Sequence, residues 1–244
     1  TSGTVRNAFL NKGYDAWSCD ILPSDDRTNR HIQDDVRTVL KMENWGLLMV
    51  AHPPCTYLSN AGARWLYPKK ELNKERYNKG LEAKDFFLKL LNSGIPKICI
   101  ENPLSQPPPG RSKSEMWEEL DEGVELFSHV LNADVPHVAI ENPVMHKHAK
   151  QRIKNFTNFS QSIQPWQFAK SEDSTDNVKK RTCLWLRNLP NLIPTGSVSG
   201  DTARAECHSL PPSANRTKLR SRFFDGVAQA MANQWGSHAV IHAM

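Results

Sequence analysis

The chain has 244 residues, of which 39% are hydrophobic and 23% charged, and that balance excludes a disordered tail and a collagen-like fibre. No run approaches the ~18–20 uninterrupted apolar residues that a membrane-crossing helix needs. Thirty-one Lys and Arg against 26 Asp and Glu leave a net charge of +5, which suits a polyanionic partner without requiring one.

In chain order, Val5 to Leu10 fits a short helix, and Asn11-Lys12-Gly13 supplies its stop. Tyr14 to Asp20 reads as a strand ending in an acid, and residues 25–30 as a polar loop. His31 to Leu40 carries Asp34-Asp35-Val36 and then a short helical pattern. Gly46 to Ala51 is a continuous apolar run, as in a strand covered on both faces. It stops at His52-Pro53-Pro54-Cys55. Glu75 to Leu91 has helical periodicity, with Leu81, Ala83, Phe86, Phe87, Leu90 and Leu91 as its apolar stripe. Ile95 to Ile100 is another buried strand and runs into Glu101-Asn102-Pro103.

The pattern then repeats. FFLKLLNSGIPKICIENP (86–103) is followed by LFSHVLNADVPHVAIENP (126–143), an offset of 141 − 101 = 40 residues. Each copy reads helix, turn, strand, Glu-Asn-Pro, and Ser105 to Ser114 between them reads as a surface loop. After Pro143 the chain is polar and basic through Asn158. Two apolar segments follow, Ser162–Phe168 and Thr182–Leu186, separated by a polar, charged loop, Ser171–Lys180. Pro190–Asn215 is Pro/Ser-rich and irregular, and Gly226–Trp235 is helical with Val227, Met231 and Trp235 on one face. Helices alternating with short apolar strands predict an α/β fold with a parallel sheet.

Five cysteines without a Cys-x-x-Cys pair argue against a disulfide scaffold and for a reducing compartment. Thr1-Ser2-Gly3-Thr4 lacks the basic and apolar segments of a secretory signal, so the expected location is cytoplasmic. His146 with His148, and Cys207 with His208, lack the paired spacing of a zinc site, and no metal is expected.

Open parallel sheets bind ligands at the carboxyl ends of their strands. Asp20, Cys55, Glu101 and Glu141 stand at such ends. A carboxylate there can accept hydrogen bonds from both hydroxyls of a ribose, although for Asp20 alone a turn cap is the plainer role. Two prolines before Cys55 fix the backbone direction and remove two amide donors, holding that thiol at the sheet edge. Cys19, Cys99 and Cys183 lie in apolar runs and read as inert core thiols.

The ordered blocks SGTVRNAF, WSCD, DDV, HPPCTYLSN, IENP, QPWQF, KKRTCLWL and GVAQAMANQWG resemble the motif series of cytosine-C5 DNA methyltransferases. They are most similar to short phage-type proteins of that group, and the resemblance spans nearly the whole chain. It implies a Rossmann-like, S-adenosylmethionine-dependent sheet with helices on both faces. It implies one methyltransferase-like domain over 1–244, with the duplicated helix–strand unit as an insertion around 104–143 and the irregular segment at 190–215. The partner would be DNA, duplex or single-stranded, and the protein could be phage-encoded and act in the host cell.

By the same resemblance Cys55 would be the nucleophile, and the Glu of one Glu-Asn-Pro would contact the N3 edge of cytosine. Arg181 would lie near the base, as a looser match. Ser2 and Gly3 would form the cofactor turn, Asp20 would hold the ribose, and Asp35 would approach the adenine. Pro53 and Gly226 would border the cofactor pocket. Three departures stand beside this. The glycine block lacks Phe-x-Gly-x-Gly, the glutamate motif ends in Pro where the family has Val, and Glu-Asn-Pro occurs twice. Spacing from Cys55 favours Glu101 and downstream context favours Glu141, so both stay open. Lys218, Arg220 and Arg222, interleaved with Phe223 and Phe224, suit phosphate contact and base stacking or a plain solvated charge run. Two other functions fit the same residues: a DNA-binding protein that has lost catalysis, and a methylase of free pyrimidine nucleotides.

Overall fold

A computed structural model describes residues 2–46, 49–51, 71–101, 113–145, 147–205 and 223–236. The chain divides into two compact units. One takes Thr1–Leu47, Ser162–Arg181 and Leu189–Met244; the other takes Leu48–Gln161 and Thr182–Asn188.

In the first unit, α1 (Thr4–Leu10) follows Gly3 and ends at Asn11, and Gly13 has a φ of 83° that suits a residue without Cβ. Strand β1 (Ser18–Asp20) pairs in parallel with β2 (His31–Gln33). The short helical pattern expected after Asp34-Asp35-Val36 is found there. Only Val36–Val39 is helical (α2), because Asp35 caps it by accepting the Arg37 amide at 2.8 Å. Late in the chain, α6 (Asp225–Gln234) buries Val227, Met231 and, at its end, Trp235, as the periodicity requires. It packs against α1 and against a 3₁₀ turn, Pro165–Phe168.

The second unit holds most of the sheet. Strands β3 (Met49–Ala51), β4 (Lys97–Glu101) and β5 (His137–Asn142) run parallel and adjacent. Helix α3 (Lys74–Leu91) leads into β4, and α4 (Lys113–Leu131) leads into β5. Their buried residues include Phe87 and Phe127, both fully enclosed, each worth about 1.5–3 kcal/mol of transfer free energy. Leu81, expected on the apolar stripe of α3, is 48% exposed; the burial is confined to Phe87, Leu90 and Leu91 in the last turns. The loop expected at 105–114 lies outside the described residues as far as 112, and Lys113 and Ser114 already belong to α4.

After β5 come α5 (Lys147–Arg152) and then β6 (Gln161–Ile163), within which the chain passes between the units. Strand β7 (Thr182–Arg187) lies between β5 and β6 in the order β3-β4-β5-β7-β6. It runs antiparallel to β5, so the sheet is mixed where the sequence predicts a parallel one. Residues 164–181, which lead into β7, contain a single 3₁₀ turn and no α-helix. Helical crossovers are what hold neighbouring strands parallel, and none precedes β7 directly. Arg187 ends this strand by donating to the carbonyls of Leu131, Ala133 and Val135, which satisfies the end of α4. The architecture is therefore α/β with a mixed sheet. Among the described residues no helix is long and apolar enough to cross a membrane.

Candidate functional site

The sequence repeat and the strand pairing are one fact. Lys97 pairs with His137 and Glu101 with Glu141, so every residue of β4 stands beside the residue 40 places later. Glu101 and Glu141 therefore stand level with each other at the carboxyl end of neighbouring strands. Strand β3 pairs with the other side of β4, with Ala51 level with Ile100. Beyond Ala51 the chain continues as His52-Pro53-Pro54-Cys55, which lies outside the described residues. Neighbouring strands are about 4.8 Å apart, so Glu101 is one strand spacing from β3 and Glu141 is two.

Glu141 is half-buried and accepts a hydrogen bond from Thr182 Oγ1 at 3.4 Å. The next residue, Asn142, is fully buried. Its Nδ2 donates to the Pro143 carbonyl at 2.9 Å, and its Oδ1 has no hydrogen-bond partner among the described residues. An orphaned buried acceptor costs roughly 1–3 kcal/mol, so this edge carries a polar demand that the strands themselves do not meet. The sequence pattern marks the glutamate of this motif and not Asn142, because a strand's period carries no sign of an unmet acceptor.

Arg181 lies in the other unit, where its Nε donates to Ser162 Oγ at 3.0 Å. The remaining cofactor candidates also belong there, apart from Pro53, which lies outside the described residues. Ser2 Oγ accepts from Thr4 Oγ1 at 3.2 Å. Gly3 has a φ of 64°, and a Cβ on it would fall 2.2 Å from the Arg6 guanidinium. Arg6 is the hub of this region. It is 4% exposed and donates to Ser18 Oγ at 2.8 Å, to Ser24 Oγ and to the Asp26 carboxylate, tying α1 to β1 and to the loop behind it. Hydrogen bonds from Ser24, Arg6 and Asn7 hold the Asp26 carboxyl far below the usual carboxylate range. A single arginine among the first residues of a short helix has no periodic signature, so the sequence alone does not mark it.

Asp20 accepts the Leu22 amide at 3.0 Å, a local turn bond, and the exposed Ile21 and Leu22 stand beside it. Asp35 is held near pKa 2, first by the Arg37 guanidinium and then by the Arg37 amide. Cys19 is half-exposed and donates to the Asp34 carbonyl at 3.3 Å; partial burial raises its pKa. It is not a core thiol as expected, because β1 belongs to a two-stranded sheet with no fully buried face. Cys99 and Cys183 are buried, as expected.

Gly226 has a role that its position alone did not show. A Cβ there would lie 2.4 Å from the Phe168 carbonyl oxygen, so only glycine lets α6 approach the 3₁₀ turn. Its amide donates to Asp176, which is 4% exposed and also accepts the Asp225 amide at 3.2 Å. The carboxylate thus meets the positive end of α6. Asn177 is buried and clips this loop to the Glu172 and Thr202 carbonyls. Among the described residues no group of three or more His, Cys, Asp or Glu is arranged to hold a metal ion.

No protein-family model matches the chain, and neither a curated protein nor a solved structure matches it.

Proposed function

We propose that this protein transfers a methyl group from S-adenosylmethionine to C5 of cytosine in DNA, using Cys55 as nucleophile and Glu101 as the acid at N3. One observation carries the reading: the strand that feeds His52-Pro53-Pro54-Cys55 is the direct parallel neighbour of the strand that ends in Glu101. The Rossmann-like assignment and the DNA partner are part of the same proposal.

The residues fit the nucleoside half of the cofactor. The Asp20 carboxylate ends β1, and Ile21 and Leu22, 71% and 61% exposed, offer apolar surface for a purine. Asp20, Ile21 and Leu22 would hold that half. When bound, the cofactor supplies an electrophilic methyl on a sulfonium. The chain's own groups do the rest. The Cys55 thiolate adds to C6, which breaks the C5–C6 double bond and makes C5 nucleophilic. The Glu101 carboxyl shares its proton with N3 and offsets the charge that builds on the ring. Once C5 carries the methyl group, its proton passes to solvent water, the C6–S bond breaks, the double bond returns, the N3 proton goes back to Glu101 and Cys55 leaves as thiolate. In a duplex the target base must leave the stack to reach the thiol.

The second reading, a binding protein without catalysis, draws on Gly3. The space that its missing side chain opens is filled by Arg6, not left for a ligand. Incubation with methyl-labelled cofactor and DNA, followed by base analysis, decides between them. The proposal expects label in 5-methylcytosine and none with Cys55→Ser. Unlabelled DNA from the native chain at saturating cofactor contradicts it. Faster labelling of a free pyrimidine nucleotide would move the same chemistry to a smaller substrate.

A further inference from the structure

The positive charge of this chain is concentrated. Residues 143–161 contain Lys147, Lys150, Arg152 and Lys154 and no Asp or Glu, so this stretch supplies +4 of the net +5. It begins directly after Glu141 and Asn142 at the end of β5. Its fold sorts those charges. Met145, Ala149 and Ile153 are buried at four-residue spacing, so one face of α5 and its flanks packs inward. At 100° per residue, Lys147 and Lys150 lie on the outward arc, and Lys154 follows in the turn after the helix. Lys147 and Lys154 are exposed and Lys150 half-exposed.

The other members of the stretch are spoken for. Arg152 points to the opposite flank and pairs with Asp121 of α4 at 2.9 Å. His148 Nδ1 lies 3.4 Å from Gln151 Oε1. The three lysines make no ion pair among the described residues. The backbone beneath them is fixed. The Lys154 amide donates to Ser128 Oγ at 3.1 Å, and Asn132 Nδ2 donates to the Lys154 carbonyl at 3.0 Å. Asn155, at a φ of 56°, donates to Asn132 Oδ1. The turn is therefore anchored on the end of α4, while the Lys154 ammonium makes no ion pair among the described residues. Three cations on one outward arc, without an ion pair among the described residues, match the spaced negative charges of a polynucleotide backbone.

We infer that Lys147, Lys150 and Lys154 form a phosphate-contacting ridge that positions a nucleic-acid backbone beside the Glu101–Glu141 edge. The inference takes its partner from the proposed function but does not depend on methyl transfer. Such contacts place the strand without reading its sequence.

The test is the salt dependence of DNA binding by the full chain. The variant K147Q/K150Q/K154Q is compared with K12Q/K41Q/K170Q, which removes equal charge from exposed positions of the other unit. Each lost phosphate contact removes about 0.9 from the slope of log K against log salt on a duplex. The ridge variant is expected to lose about 2–3 from the slope and the control less than 1, with both retaining the native melting temperature. A ridge variant with the native slope, or equal losses in both variants, overturns the inference and leaves methylation of DNA standing. Native protein that binds phosphatidylserine vesicles but no DNA overturns the ridge and the proposed DNA partner together. K150E alone is the second variant, and an undiminished slope there also counts against the ridge.

Discussion

The two helix–strand copies share a sequence pattern, a sheet edge and a register, yet their surroundings differ. Strand β4 lies between β3 and β5, one strand from the chain that continues into Pro-Pro-Cys. Strand β5 lies between β4 and the antiparallel β7, where Thr182 donates to Glu141. The chain after Glu101 goes into a Pro-rich sequence, and the chain after Glu141 goes into the basic stretch 143–161. Duplication thus placed two equal carboxylates at one edge, and their neighbours separate them. Under the proposed function, the first copy serves the chemistry and the second holds the substrate.

The sharpest way to break that division is to neutralise each carboxylate in turn. Glu101→Gln is expected to lower the methyl-transfer rate by roughly 10²–10⁴-fold, the range for a lost general acid. Glu141→Gln should lower it less than about tenfold and act mainly on DNA affinity. Single-turnover rates set beside binding constants separate the two effects. If Glu141→Gln carries the larger rate loss, the roles are reversed and proximity to β3 is not the deciding factor.

The next prediction concerns the unit outside the repeat. Gly226→Ala would press a methyl against the Phe168 carbonyl, and overpacking of that kind costs about 1–3 kcal/mol. A lower denaturation midpoint in urea with an unchanged slope is the expected readout. An unchanged midpoint would mean that α6 and the 3₁₀ turn part easily.

A stability effect of similar size is expected at Asp26. Its Asn variant leaves the buried Arg6 charge without its carboxylate, and about 2 kcal/mol is expected. That is less than for a fully enclosed pair, because the Asp26 side chain is 38% exposed. The pH dependence has a definite sign. The folded pKa of Asp26 is depressed, so its contribution is complete above the usual carboxylate range. It is lost as pH falls from there through the lower folded value. The native chain should lose stability faster than Asp26→Asn on acidification below about pH 4. Parallel acid melts of the two would contradict the pairing.

Much of the second unit is legible in the sequence. The apolar period finds α3, and the 40-residue offset becomes the register of β4 on β5, because equivalent turns start equivalent strands at the same height. Helix α1 is legible from its Asn-Lys-Gly stop and α6 from its apolar period. The antiparallel β7 is not, since direction is set by the connection and not by the apolar run. The polar 171–180 loop also misleads. Its Asp176 and Asn177 are buried because helix ends and carbonyls tens of residues away satisfy them, and composition carries no trace of such partners. Arg6 is hidden for the same reason. The site divides likewise: strand-end acids are readable, whereas which of two acids neighbours β3 required the strand order.

The most direct test is covalent trapping. DNA carrying 5-fluorocytosine cannot lose a proton from C5, so an adduct formed by the proposed chemistry does not resolve. With cofactor present, the account predicts a protein–DNA adduct stable to denaturation and mapped to the peptide containing Cys55. An adduct at another residue, or methylation of ordinary cytosine with no adduct on the fluorinated base, would contradict it.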